Sequence, residues 1–335
     1  MRNIQPIGTE ELCRLFRGAS RAAIFSHVRP DADTLTSAFA LRAILTAMGK
    51  EAVCICDGEI PASLDFLLGR GDLRQDVPEG TDLVLSVDVA SPGQLGAYAS
   101  LADHFDAMID HHATGEPFAP YFLDGSAAAA AELVYQLYDA LRVAGDIPDM
   151  PDVCRLLYAG LADDTGNLKY SNVTPETFRI AAALLSEIKS TAGLSVADIS
   201  RYLFDAHPLS ILRGNALVTR KLRVMKHGRL AIATVTLADL AGEGLCEADL
   251  ADGADIPRAV RGTEIGVVLK QQLSDPEAYR VSSRSNGDAD VAAVCRTFGG
   301  GGHIKAAGCT IRAASPAEAE RIAAEAFAAA LGDAE

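Results

Sequence analysis

The chain has 335 residues, which at ~150 residues per domain is about two domains. With 49% hydrophobic and 22% charged residues, each can bury a core of its own. Thirty Lys and Arg against 45 Asp and Glu leave a formal charge of −15, which excludes a surface built to grip long nucleic acid by counterion release. Any polyanion it handles is expected to be short and held in a locally cationic pocket.

The first residues, Met1-Arg2-Asn3-Ile4-Gln5-Pro6, have no apolar stretch behind their charge, so no secretory leader is expected. Residues 22–26 (Ala-Ala-Ile-Phe-Ser) read as a buried strand, followed by a loop and a helix from about Leu35 to Met48. Further strands are read at 52–56, 83–87 and 107–109, and helical periodicity covers 127–144, 151–162 and 175–189. Glu132 interrupts the alanine tract, and no apolar run reaches the ~18 residues of a membrane span. Strands alternating with helices predict an α/β fold with a doubly wound, mainly parallel sheet. A polar loop near Thr191-Ala192-Gly193 and a helix over Val196–Phe204 read as a connector. Strands at 230–235, 265–271 and 279–283 and a helix over 316–330 then describe a smaller C-terminal α/β domain. The expected boundaries are 1–190, a helical linker at 191–212, and 213–332. Seven scattered cysteines, with no paired CxxC, argue against a zinc site or a disulfide framework and for a reducing cytoplasm.

The chemistry gathers at element ends. His27-Val28-Arg29-Pro30-Asp31-Ala32-Asp33 follows the first strand, Asp88 the third, and Asp110-His111-His112 the fourth, while Asp163-Asp164-Thr165-Gly166 ends an apolar helix. In doubly wound sheets the residues just past the strand C-termini form the ligand site. A lone aspartate after a strand is usually a helix cap and a lone histidine usually structural. Four such clusters at element ends, three of them on one sheet edge, read instead as a metal site, because carboxylates crowded together repel unless cations neutralise them. Mixed carboxylate and imidazole donors suit Mn²⁺, and this many donors suggest two ions ~3.5–4 Å apart sharing a carboxylate and a water. Phosphoester hydrolysis fits such a pair.

These motifs, with Phe298-Gly299-Gly300-Gly301-Gly302-His303 and Ala306-Ala307-Gly308 near the C-terminus, resemble the DHH phosphoesterase superfamily and its accompanying DHHA1 domain. In size the chain is similar to the stand-alone nano-RNase and pAp-phosphatase group (the NrnA type). The resemblance implies two Mn²⁺ ions, with Mg²⁺ or Co²⁺ as substitutes. His27, Asp31 and Asp88 would hold one, and Asp33, Asp88, His111 and Asp164 the other, with Asp88 bridging. It implies that His112 faces the scissile phosphate; the alternative is that His112 orients a neighbouring ligand. Two departures stand out: Thr36-Ser37 where the family often has a glycine before the serine, and Asp163 where it often has an uncharged residue.

Four consecutive glycines allow close backbone approach and φ > 0, and such a run can cradle a phosphate with its amides. Gly300, Gly301, Gly302, His303 and Arg284, with Lys305 nearby, are therefore the expected substrate-binding set. A hinged closure of the two domains would bring short substrates onto the metals and release 5′-mononucleotides. Expected partners are short RNA oligonucleotides or small nucleotides such as pAp and pApA, with no long duplex, no membrane, and a homodimer by analogy. The rival readings are a RecJ-like single-strand exonuclease, a manganese pyrophosphatase, a cyclic-di-AMP or pApA phosphodiesterase, and a non-catalytic nucleotide sensor.

Overall fold

The computed structural model describes residues 4–69 and 73–332. Contacts divide the chain into two compact units between Ala206 and His207. In the first, α1 (Thr9–Gly18), β1 (Arg21–Phe25), α2 (Ala32–Ala47), β2 (Glu51–Ile55), β3 (Leu73–Arg74), β4 (Leu83–Val87), β5 (Ala107–Asp110) and β6 (Tyr121–Leu123) precede four helices. These are α3 (Ala130–Ala144), α4 (Pro151–Asp164), α5 (Pro175–Lys189) and α6 (Val196–Ser200). The strands lie in the order β3-β2-β1-β4-β5-β6, every neighbouring pair parallel. That order reverses between β1 and β4, the place where an open parallel sheet leaves a crevice beyond its strand ends.

Alternation along the strands sends residues to two faces. Ala22, Ile24, Leu83, Leu85, Ala107 and Ile109 pack with the apolar sides of the helices in one core. Ala23, Phe25, Ile55 and Met108 belong to a second core. Among the described residues no α-helix covers that face; the 3₁₀ turns of Pro92–His104 do, with Phe25 edge-on to Phe105 at 5.0 Å and to Tyr98 at 5.3 Å. Leu95, Tyr98 and Leu101 recur every third residue along it, the spacing of a 3₁₀ turn rather than the 3.6-residue apolar period that marks an α-helix. The helix read over 196–204 stops at Ser200 and continues as a π-helical turn, Arg201–Asp205.

Helices α2 and α4 approach closely at Gly160, where a Cβ would sit 2.7 Å from Asp33 Oδ1 and 2.8 Å from Thr36 Oγ1. The tight contact thus depends on a glycine in α4, opposite the Thr36-Ser37 pair. Gly160→Ala is expected to destabilise the first unit by about 1–3 kcal/mol through overpacking. It is also expected to weaken divalent-metal binding by displacing Asp33. Thermal melts with calorimetric metal titration check both effects.

The second unit contains α7 (Leu209–Lys221), β7 (Leu222–Met225), β8 (Leu230–Val235), α8 (Leu237–Glu243), α9 (Asp255–Arg258), β9 (Ile265–Gln271), β10 (Ala278–Ser285), α10 (Val291–Thr297), β11 (Gly301–His303), β12 (Ala306–Arg312) and α11 (Pro316–Ala329). Its sheet runs β11-β12-β10-β9-β8-β7, antiparallel except for the β8–β9 pair. Val291, Cys295, Ala323 and Phe327 of α10 and α11 cover one face; Leu217, Val218, Leu240 and Leu250 cover the other. Among the described residues no helix is long and apolar enough to cross a membrane, and all seven cysteines are free thiols.

Candidate metal centre

The ends of β1, β4 and β5 and the facing ends of α2 and α4 bring the predicted residues together. Asp88 is the centre. It is 3% exposed, takes a left-handed φ of 59°, and donates its amide to the Ile109 carbonyl at 2.9 Å. Its Oδ2 lies 3.4 Å from His27 Nε2, and its Oδ1 lies 3.4 Å from His111 Nε2. Asp31 combines two roles: Oδ1 caps α2 by accepting from Thr34 N at 3.1 Å, while Oδ2 lies 3.4 Å from His27 Nε2. The helix-cap reading and the ligand reading of Asp31 are therefore compatible, because a carboxylate has two oxygens.

Asp33 is fully buried. Its oxygens accept from the Ala130 and Ala131 amides at 2.6 and 3.0 Å, at the positive end of α3, and from Ser37 Oγ at 3.2 Å. His111 Nε2 is 3.2 Å from Asp164 Oδ2, and its Nδ1 is 3.3 Å from the Ala127 carbonyl. A carbonyl only accepts, so Nδ1 carries the proton and Nε2 is turned to the carboxylates. Asp163 is tied to the helix start instead, its Oδ2 accepting from Ala32 N at 3.2 Å.

Among the described residues three donor sets could each hold a metal ion, their ligand atoms lying within 4.8 Å of one another: His27, Asp31 and Asp88; Asp33, His111 and Asp164; and Asp88, His111 and His112. All six expected ligands are thus in these sets, and His112 joins them. Asp110 is the residue whose part the sequence did not reveal. Buried at the end of β5, its Oδ1 meets His112 Nδ1 at 2.8 Å. A rotamer decides that contact, and no spacing rule signals it.

Electrostatics show what the cluster lacks. Burial pushes Asp33 well above the usual carboxylate range, and the charges of Asp164 and Asp88 push it further. Burial, with Asp31 and Asp164 nearby, raises Asp163 to about 7. Burial opposes charge on His27, yet its contacts with Asp31 and Asp88 win and raise it to about 10. In the same way Asp164 and Asp88 overcome burial and raise His111 to about 12. Contact with Asp110 raises His112 above the ordinary imidazole value. The cluster therefore draws in positive charge. Asp88 Oδ1 and Asp110 Oδ2 are buried with no hydrogen-bond partner. An orphaned buried carboxylate oxygen amid imidazole nitrogens and further carboxylates is a donor set that fits divalent cations.

In the second unit, Ala306 of β12 pairs with Arg284 on one side and with His303 on the other. Directly paired residues point to the same face of a sheet, so the Arg284 guanidinium and the His303 imidazole flank one small residue. The glycine run is half strand: Gly301 and Gly302 pair with Gly308 and Ala307. A Cβ on Gly300 would overlap the Gly308 carbonyl and lie 2.6 Å from Cys309 Cβ, whereas at Gly301 nothing stands within 4 Å. The run is thus a tight hairpin with an open backbone position at Gly301.

The DHH family, N-terminal domain, matches residues 21–161, and the DHHA1 domain matches residues 228–332. The chain is 32% identical over 294 residues to the bifunctional oligoribonuclease and PAP phosphatase NrnA of Thermus thermophilus, spanning 86% of this chain and 83% of that protein. It is 25% identical over 316 residues to the protein of the same name from Bacillus subtilis, spanning 94% and 96%. The crystal structure of an exopolyphosphatase-related protein from Bacteroides fragilis has the same fold, with a TM-score of 0.85 at 23% identity over 96% of this chain and 95% of that one. With the converging aspartates and histidines and these matches together, the chain belongs to the DHH family, its DHH domain followed by a DHHA1 domain.

Proposed function

We propose that this protein is a two-metal phosphoesterase that degrades short oligoribonucleotides to 5′-mononucleotides and removes the 3′-phosphate of pAp. The observation that carries this reading is the buried Asp88 carboxylate, set between His27 and His111 at the sheet reversal with one oxygen unpartnered. The relatives named for oligoribonuclease and PAP phosphatase activity supply the substrate class. His27, Asp31 and Asp88 would hold one ion, and Asp33, Asp88, His111 and Asp164 the other, with Mn²⁺ the ion the mixed donors favour. Ions bound there supply Lewis-acid polarisation of a phosphoryl oxygen and make water in the site more acidic.

The chain's own groups do the rest. The two imidazoles and four carboxylates fix where the phosphate is held. Asp110 orients His112 and favours its protonated form, so that it can donate a hydrogen bond to a phosphoryl oxygen as charge develops. In the C-terminal domain, taken as residues 213–332, Arg284, His303 and the amides of Gly300, Gly301 and Gly302 bind a substrate phosphate. A locally cationic element is what a chain of net charge −15 needs to hold a short polyanion.

Purified protein with Mn²⁺ is offered pApA, a 5-mer RNA, a 24-mer single-stranded DNA, pAp, cyclic-di-AMP and pyrophosphate in parallel. Rapid AMP release from pApA and the 5-mer, with phosphate release from pAp and the 24-mer nearly inert, is the expected result. Preferential degradation of the 24-mer, or turnover of pyrophosphate alone, would replace this reading with a RecJ-like or pyrophosphatase one.

A further inference from the structure

The loop after Asp164 has a backbone conformation and a side chain that metal binding does not require. Gly166, Asn167 and Leu168 take φ values of 54°, 60° and 63° in succession. Left-handed backbone is costly for residues with a side chain, and such strain persists only where surrounding contacts impose it. Those contacts are present. Leu168 N donates to Thr165 Oγ1 at 3.0 Å, and that hydroxyl donates to the Leu161 carbonyl at 2.5 Å. Asn172 Nδ2 donates to the carbonyls of Asp164 and Ala128 at 3.0 and 3.1 Å.

The turn doubles the chain back so that the Tyr170 ring lies against Gly166, where any Cβ would overlap it. One part of the ring is thus fixed on the segment that begins with Asp164, while the residue remains 45% exposed. The chain has no tryptophan, and among the described residues three aromatics are at least 36% exposed: Tyr170, Phe178 and Tyr202. Tyr202 is stacked on Phe66 at 4.7 Å with Arg201 over its ring, and Phe178 lies along α5. Tyr170 differs from both in standing on the loop that carries a ligand residue of the metal centre.

We propose that Tyr170 is a stacking platform for the nucleobase of the nucleotide whose phosphate is held at the metal centre. The inference rests on the phosphoesterase reading for the identity of the phosphate-bearing ligand, and it adds how that ligand's base is recognised. An aromatic ring stacks on any base, giving affinity without reading sequence, and a single stack is worth about tenfold in binding. The strained turn holds the ring in place before ligand arrives, so little side-chain freedom is lost on binding.

The test measures binding of AMP and of ribose 5-phosphate to the Mn²⁺-loaded protein by calorimetry. The two ligands share a phosphate and a sugar and differ by the base. Wild type is expected to prefer AMP. Tyr170→Ala is expected to lose about tenfold of that preference, with ribose 5-phosphate affinity unchanged. Tyr170→Phe, which keeps the ring, should retain the preference, as should the control Phe178→Ala. Because the ratio is taken within each variant, a loss of stability alone does not move it. An unchanged ratio in Tyr170→Ala, an equal loss in Phe178→Ala, or no preference in wild type overturns the proposal. If wild type prefers AMP through Tyr170 but hydrolyses neither pApA nor pAp, the stacking site stands and the phosphoesterase reading fails.

Discussion

Asp88→Asn is expected to reduce Mn²⁺-dependent hydrolysis of pApA by roughly a thousandfold while leaving the fold intact. Asp88 has a left-handed φ of 59°, a conformation that asparagine tolerates nearly as well as aspartate and that alanine does not. The amide also preserves shape in a position that is 3% exposed. What it removes is the charge facing His27 and His111 on either side. Losing a carboxylate that would hold both ions forfeits about 4 kcal/mol of the transition-state charge stabilisation such ions supply, which is roughly a thousandfold in rate. Steady-state kinetics with circular dichroism as the folding control decides it. Full activity in a well-folded Asp88→Asn protein would remove Asp88 from the centre of the mechanism.

Addition of Mn²⁺ at about a hundred times its dissociation constant is expected to stabilise the first unit by ~2.7 kcal/mol, a rise in Tm of about 5–10 °C. The increment should grow with pH. In the metal-free protein His27 is raised from 6.5 to about 10, a folded-state value above the unfolded one. Its protonation therefore stabilises the metal-free fold fully below pH ~6.5, and that contribution is lost as pH rises toward about 10. Metal binding requires the same imidazole deprotonated, so protons and ions compete for the site. Melts in matched buffers from about pH 6 to 9, with and without metal, should show the two curves diverging upward. An increment that shrinks with rising pH would contradict ligation by His27 and His111.

The parts of this centre that could be read from sequence are those fixed by strand ends. His27, Asp88 and His111 each follow a short apolar run, so once the runs were read as parallel strands their convergence followed. Asp33 and Asp164 were legible as motif residues, but their setting was not: Asp33 sits against the α3 amides and opposite Gly160, which depends on helices far apart in the chain. The contact between Asp110 and His112 depends on a side-chain torsion. The glycine run reads as freedom, yet Gly300 is there because two backbones meet, at Gly308 and Cys309. The second unit's short elements β7, β11 and β12 gave little periodic signal in three to seven residues.

The spread of the proposed ligand residues along the chain bears on the kinetics of folding. They run from His27, just past β1, to Asp164 at the end of α4, and β1 itself pairs with β4 only after α2, β2 and β3 have intervened in the chain. A nascent or refolding chain must close those loops, at full entropic cost, before any ion finds a complete set of donors. The cation therefore meets a sheet that is already assembled. Its binding energy is absent from the folding transition state and appears almost wholly as a slower unfolding rate. On the proposed ligation, metal is a late latch for this chain, lengthening the lifetime of the native state without speeding its formation.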